Sequence, residues 1–180
     1  TKQGGGTSVE FRVYTENPGT IKASEAVGAS HEPADSIGQL EVHPELTVQL
    51  FASEPMMLSP ASIDIDHRGR IWVCEVVNYR KHKGERSEGD RILILEDTDG
   101  DAKADNSTVF HQGTDVDSAH GICVLGNKAL ISCGDEVFWL IDDNGDDKAD
   151  RKELIFTKIG GAQHDHGIRL TDPGEAGHLG

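Results

Sequence analysis

Two short acidic runs carry oxygen donors at alternate positions. The first is Asp97-Thr98-Asp99-Gly100-Asp101-Ala102-Lys103-Ala104-Asp105, and the second is Asp142-Asp143-Asn144-Gly145-Asp146-Asp147-Lys148-Ala149-Asp150. Alternate acidic side chains in a tight loop converge on a hard cation, a need that calcium meets with oxygen ligands. With Asp142 as position 1, Asn144, Asp146 and Asp150 fall at positions 3, 5 and 9, the Lys148 carbonyl at 7 and Glu153 at 12. That is the ligand spacing of an EF-hand loop. Asp97, Asp99, Asp101 and Asp105 repeat positions 1, 3, 5 and 9 but leave Thr108 at 12, so the second run is the fuller match. Both runs place glycine at position 4 and lack it at position 6, where Ala102 and Asp147 stand. The alternative is a solvated acidic turn between strands. Like charges this dense repel unless a cation joins them, and a calcium ion held here would serve structure.

Histidine supplies the second kind of chemistry. Of nine histidines, His120 sits beside Gly121, and His164 and His166 lie in the run His164-Asp165-His166-Gly167. A neutral imidazole acts as a general base near pH 7 or as a metal ligand. A turn histidine bonded to the backbone is the plainer alternative. The sequence contains no GxSxG, HExxH, P-loop or GxGxxG, and Gly4-Gly5-Gly6 lacks the strand and helix that a phosphate site needs.

Short β-runs must position these residues. Ser62-Ile63-Asp64-Ile65-Asp66 alternates strictly and turns through His67-Arg68-Gly69 into Arg70-Ile71-Trp72-Val73-Cys74. A polar insertion from Asn78 to Asp90 leads to Arg91-Ile92-Leu93-Ile94-Leu95, and Thr108-Val109-Phe110-His111 follows the first acidic run. The order then recurs. Gly121–Leu125, a Gly126-Asn127 turn and Ala129–Cys133 read as a hairpin, and Glu136–Ile141, the second acidic run and Glu153–Phe156 complete the unit. The glycines of the two acidic runs, Gly100 and Gly145, stand 45 residues apart. A four-stranded antiparallel unit at that period is the mark of a β-propeller blade.

The expected fold is therefore all-β, with blades near residues 58–111 and 120–157 of a partial propeller over 47–168. Two blades cannot close a ring and would leave sheet edges open. Residues 1–46 have linker composition, or that of the tail of a preceding domain, with one alternating run, Ser8–Tyr14. Residues 169–180 are polar and turn-like, which reads as an atypical, truncated or frame-shifted end. Thr47–Phe51 also alternates as a strand does.

Composition narrows the functions. The 180 residues carry 32 Asp+Glu against 17 Lys+Arg, a net charge of −15, which repels phosphate backbones and argues against nucleic-acid binding. No apolar run is long enough to span a bilayer. No signal peptide stands at Thr1. Cys74, Cys123 and Cys133 form neither CxxC nor a zinc pattern and read as small apolar residues in strands.

The run Leu58-Ser59-Pro60-Ala61-Ser62-Ile63-Asp64-Ile65-Asp66-His67-Arg68-Gly69-Arg70-Ile71-Trp72-Val73-Cys74-Glu75 resembles the opening blade of a group of membrane-bound-dehydrogenase propellers. Arg91–Asp105 and His164–Gly167 fit the same pattern. That group occurs in large planctomycete and verrucomicrobial proteins of the PVC haem-binding type, in which the propeller precedes a cytochrome c-like domain. A more distant similarity reaches the soluble aldose dehydrogenases, six-bladed propellers that use pyrroloquinoline quinone (PQQ) and calcium.

The resemblance implies a six-bladed ring, an extracytoplasmic or periplasmic setting, a sugar or alcohol substrate, and a cytochrome as electron acceptor. It implies that His164, matching an H-x-x-G element that opens an inner strand, takes the alcohol proton while hydride passes to PQQ. His120 and His166 would contact the cofactor. This chain has no CxxCH, so it should not bind haem c. Two further readings stand beside this one. The first is a calcium-stabilised propeller that binds carbohydrate or protein without catalysis. The second is a lactonase-like hydrolase that holds a divalent cation at the channel.

Overall fold

The computed structural model describes residues 32–79 and 84–158. The Ser8–Tyr14 run, His164, His166 and the segment 169–180 lie outside them. The chain enters through a five-residue helix, α1 (Pro33–Ile37), where linker composition had implied none. Proline opens it, as suits a first turn whose amide has no helical partner.

Among the described residues, eight strands follow as two consecutive four-stranded antiparallel sheets. The first blade holds β1 (Pro60–Ile65), β2 (Ile71–Glu75), β3 (Asp90–Glu96) and β4 (Asn106–Gly113). The second holds β5 (Ala119–Leu125), β6 (Lys128–Cys133), β7 (Glu136–Ile141) and β8 (Arg151–Phe156). Each sheet runs in chain order, so every connection joins neighbouring strands. His120 lies inside β5 as its second residue, because the strand begins at Ala119, two residues before the Gly121 start that the sequence pattern implies. Thr47–Phe51 belongs to neither sheet, because no described strand pairs with it.

Side-chain alternation explains the packing. Along β2 and β3, Trp72, Cys74, Ile92 and Ile94 point to one face, and Val73, Leu93 and Leu95 to the other. The first face meets Ile122, Val124, Ala129, Ile131, Phe138 and Leu140 of the second sheet in the principal core. Trp72 and Phe110 meet edge to face at 4.6 Å there. The sheets touch mainly through β1 and β5, which are therefore the inner strands of adjacent propeller blades. The second face packs against Phe51, Ala52, Met56 and Met57.

The blades differ most at one connection, although the β1–β2 turn, residues 66–70, is also longer than the two-residue β5–β6 turn. β6 and β7 are joined by Gly134 and Asp135 alone, whereas residues 76–89 separate β2 from β3. Gly89, at φ +89°, closes this insertion against the backbone of Gly113, where a Cβ would collide with the peptide.

Candidate functional site

Antiparallel order sorts the chemistry to two opposite ends of the blades. The β1–β2 and β5–β6 turns and both acidic loops gather at one end. The β2–β3 insertion, the link between the blades and the start of β5, with His120, gather at the other. β3 has seven residues, so the ends stand about 20 Å apart.

At the first end the two acidic loops fold alike. In the first, Asp97 accepts the amides of Gly100 (2.7 Å), Asp101 (3.2 Å) and Ala102 (2.8 Å). In the second, Asp142 accepts those of Gly145 (2.6 Å), Asn144 (3.1 Å) and Asp147 (2.9 Å). Desolvation opposes ionisation, but these amide hydrogen bonds outweigh it and hold both carboxyls below the usual carboxylate range. Ala102 (φ 65°) and Asp147 (φ 61°) are left-handed, the conformation that glycine supplies at position 6 of a calcium loop.

The loops differ in the acids they bring together. Asp97, Asp99 and Asp105 each bring a carboxylate oxygen within 4.8 Å of the others, a hard-oxygen set that fits calcium or a similar cation. In the second loop Asp150 is engaged by the Asn144 amide (3.1 Å) and the Asp143 backbone (2.7 Å). Asp101 and Asp146 accept the amides of Lys103 and Lys148. Glu153 lies beyond the loop in β8, paired with Arg151 at 3.1 Å. Asp105 is likewise engaged, by the Thr98 amide (3.1 Å) and hydroxyl (2.9 Å), so the first loop is set apart by its third carboxylate, Asp99, where the second loop has Asn144.

An inter-blade clamp sits beside the second loop. Asp66 accepts the backbone amides of Arg68 (2.9 Å) and Arg70 (3.0 Å), the Arg70 Nε (2.8 Å) and the Trp72 indole (3.0 Å). Burial opposes its ionisation, but the bonds from Trp72, Arg70 and Arg68 prevail and its pKa is lowered. The far side of the Arg70 guanidinium reaches Asp147 of the next blade at 2.8 Å. Asp64 accepts the Val124 amide (2.6 Å), and the Phe110 carbonyl accepts that of Ala149 (2.8 Å), both across the same interface.

At the second end a buried polar network organises the insertion. Asp90, fully buried, accepts the amides of Val77 (2.9 Å), Asn78 (3.0 Å) and Ser118 (3.0 Å). Asp117 accepts the Asn78 side-chain amide (3.0 Å) and the Asp90 backbone (2.9 Å). Glu75 is held by Arg86 (2.7 Å), by both arms of Arg91 (2.6 and 2.8 Å) and by the Leu58 amide (2.7 Å). Burial alone would raise its pKa, but the two guanidiniums keep it low. The network fixes the path on which Tyr79 meets the His120 ring edge to face at 5.8 Å. No reading of spacing anticipates Glu75, Asn78, Asp90 or Asp117. The available signal is a lone acid ending or opening an apolar strand, as Glu75 ends β2 and Asp90 opens β3.

Paired four-stranded blades meeting through their inner strands define a fragment of a β-propeller. The chain belongs to the DUF7133 family, a domain of unknown function, whose match spans residues 32–179. No curated protein matches. Among solved structures the chain is similar to the holo form of the pyranose dehydrogenase PQQ domain from Coprinopsis cinerea, at 21% identity and a TM-score of 0.45. That similarity covers 58% of this chain and 22% of the other.

Proposed function

We propose that this chain is part of a PQQ- and calcium-type dehydrogenase propeller that oxidises a sugar or alcohol outside the cytoplasm. In this reading electrons pass to a cytochrome, and kinship with the PVC haem-binding proteins follows from the same motifs. The observation that carries the reading is the position of His120. It opens an inner strand at the insertion end, against Tyr79. His164 follows 44 residues later, close to the 45-residue repeat of the acidic loops, so it falls near the corresponding point of a third repeat.

Bound quinone would supply the hydride acceptor. His164 would take the proton of the substrate hydroxyl, which requires a neutral imidazole, and His120 and His166 would orient the cofactor. The acidic loops would hold calcium as a structural ion, since about 20 Å of strand separates them from His120. A second reading, a calcium-stabilised binding propeller without catalysis, is favoured by that same separation.

The test is dye-linked oxidation of a panel of sugars and alcohols by the complete polypeptide, with calcium and with or without PQQ. The expected result is PQQ-dependent turnover that His164→Ala lowers by about 100-fold or more while PQQ binding is retained. Absence of both turnover and PQQ binding would reject the dehydrogenase reading in favour of the second.

A further inference from the structure

Residues 47–60 repeat features of residues 106–119 at an offset of 59. Phe51 and Phe110 each stand nine residues before the first residue of an inner strand, Pro60 and Ala119. The residue immediately before each strand is a serine in the left-handed region, Ser59 at φ 44° and Ser118 at φ 63°. The Phe51 carbonyl accepts the Ala104 amide at 2.8 Å, and the Phe110 carbonyl accepts the Ala149 amide at 2.8 Å. Ala104 and Ala149 occupy the same position in the two acidic loops.

The packing matches as well. Phe110, Val116 and Ala149 belong to the core between the blades. Phe51, Met57 and Ala104 sit on the opposite face of the first blade, against Val73, Leu93 and Leu95. Phe110 is in β4, the outer strand of the first blade. Phe51 therefore occupies an outer-strand position in a blade on the other side.

We infer that residues 47–52 are the outer strand of a further blade, and that their edge receives an apolar third strand from later in the same polypeptide, which closes the ring. The occupant's chemistry follows from the equivalent pair, in which β4 takes β3 along its edge through Ile92–His111 and Leu93–Val109. The strand should be apolar on both faces, as β3 and β7 are. Residues 1–31 offer a single alternating run, Ser8–Tyr14, where a blade needs three more strands. The inference is independent of any quinone chemistry.

Hydrogen exchange tests it, measured on the complete polypeptide and on the 180-residue chain. In the complete protein, the alternate amides of 47–52 that face the partner strand should be protected about 100-fold or more, and so should those of 107–112 that face β3. In the 180-residue chain, 47–52 should exchange at the rate of unpaired backbone. Free exchange of 47–52 in the complete protein, beside protected 107–112, would overturn the inference. Equal protection in the 180-residue chain would also overturn it, because the partner strand would then come from within that chain or from a second copy. Should the shorter chain fail to fold, the contrast between 47–52 and 107–112 in the complete protein decides the matter.

Discussion

The two ends of the blades are built by different rules. At the acidic-loop end the two acidic loops are near copies, with the same amide-to-carboxylate bonds recurring 45 residues apart. At the insertion end they diverge, a two-residue turn in one and residues 76–89 in the other. Repetition is what a structural device needs, because every blade must be locked to its neighbour. Divergence is what a site needs, because a ligand is recognised by groups that occur once. The buried acids Glu75 and Asp90 and the Tyr79–His120 contact all lie on the divergent side.

The comparison is broken most forcefully at the clamp. Asp66→Ala leaves the buried Arg70 guanidinium without the more buried of its two carboxylates and removes the indole's acceptor. Loss of one partner of a buried ion pair costs about 3–5 kcal/mol. Urea unfolding of the variant should show the midpoint falling accordingly. A loss below about 1 kcal/mol, the range of exposed pairs, would mean that the clamp does not hold the blades together.

A smaller effect sharpens the likeness of the two loops. Ala102 is exposed and holds a left-handed backbone that glycine adopts without strain, so Ala102→Gly should stabilise by up to about 1 kcal/mol. Asp147→Gly at the equivalent position should destabilise instead, because it removes the Arg70 partner. Thermal melting of the two variants should therefore shift in opposite directions. Shifts of the same sign would deny the clamp its role in the second loop.

Local pattern made much of this fold legible. Strict alternation at Ser62–Asp66, the Gly126-Asn127 turn and the matched acidic runs are all short-range signals, and each corresponds to a strand, turn or loop in the structure. Long-range polar contacts left no such trace. Arg70 and Asp147 are 77 residues apart, and Glu75 collects its two arginines across an insertion with no period. That insertion, together with the longer β1–β2 turn, also hides the likeness between 51–60 and 110–119, because the two lengthen the repeat from 45 to 59 over that stretch. Glu153, position 12 of the EF-hand count, stands in β8, where its carboxylate meets Arg151.

The division of labour between the two ends is tested most directly by titrating PQQ into the complete polypeptide in saturating calcium. The variants to compare are His120→Ala and the double change Asp97→Asn with Asp142→Asn, with melting temperature read with and without calcium in the same samples. The account predicts that His120→Ala weakens quinone binding about tenfold or more and keeps the calcium-dependent rise in melting temperature. The double change should reduce that rise and leave quinone affinity unaltered. Loss of quinone binding in the double variant, or loss of the calcium response in His120→Ala, would contradict it.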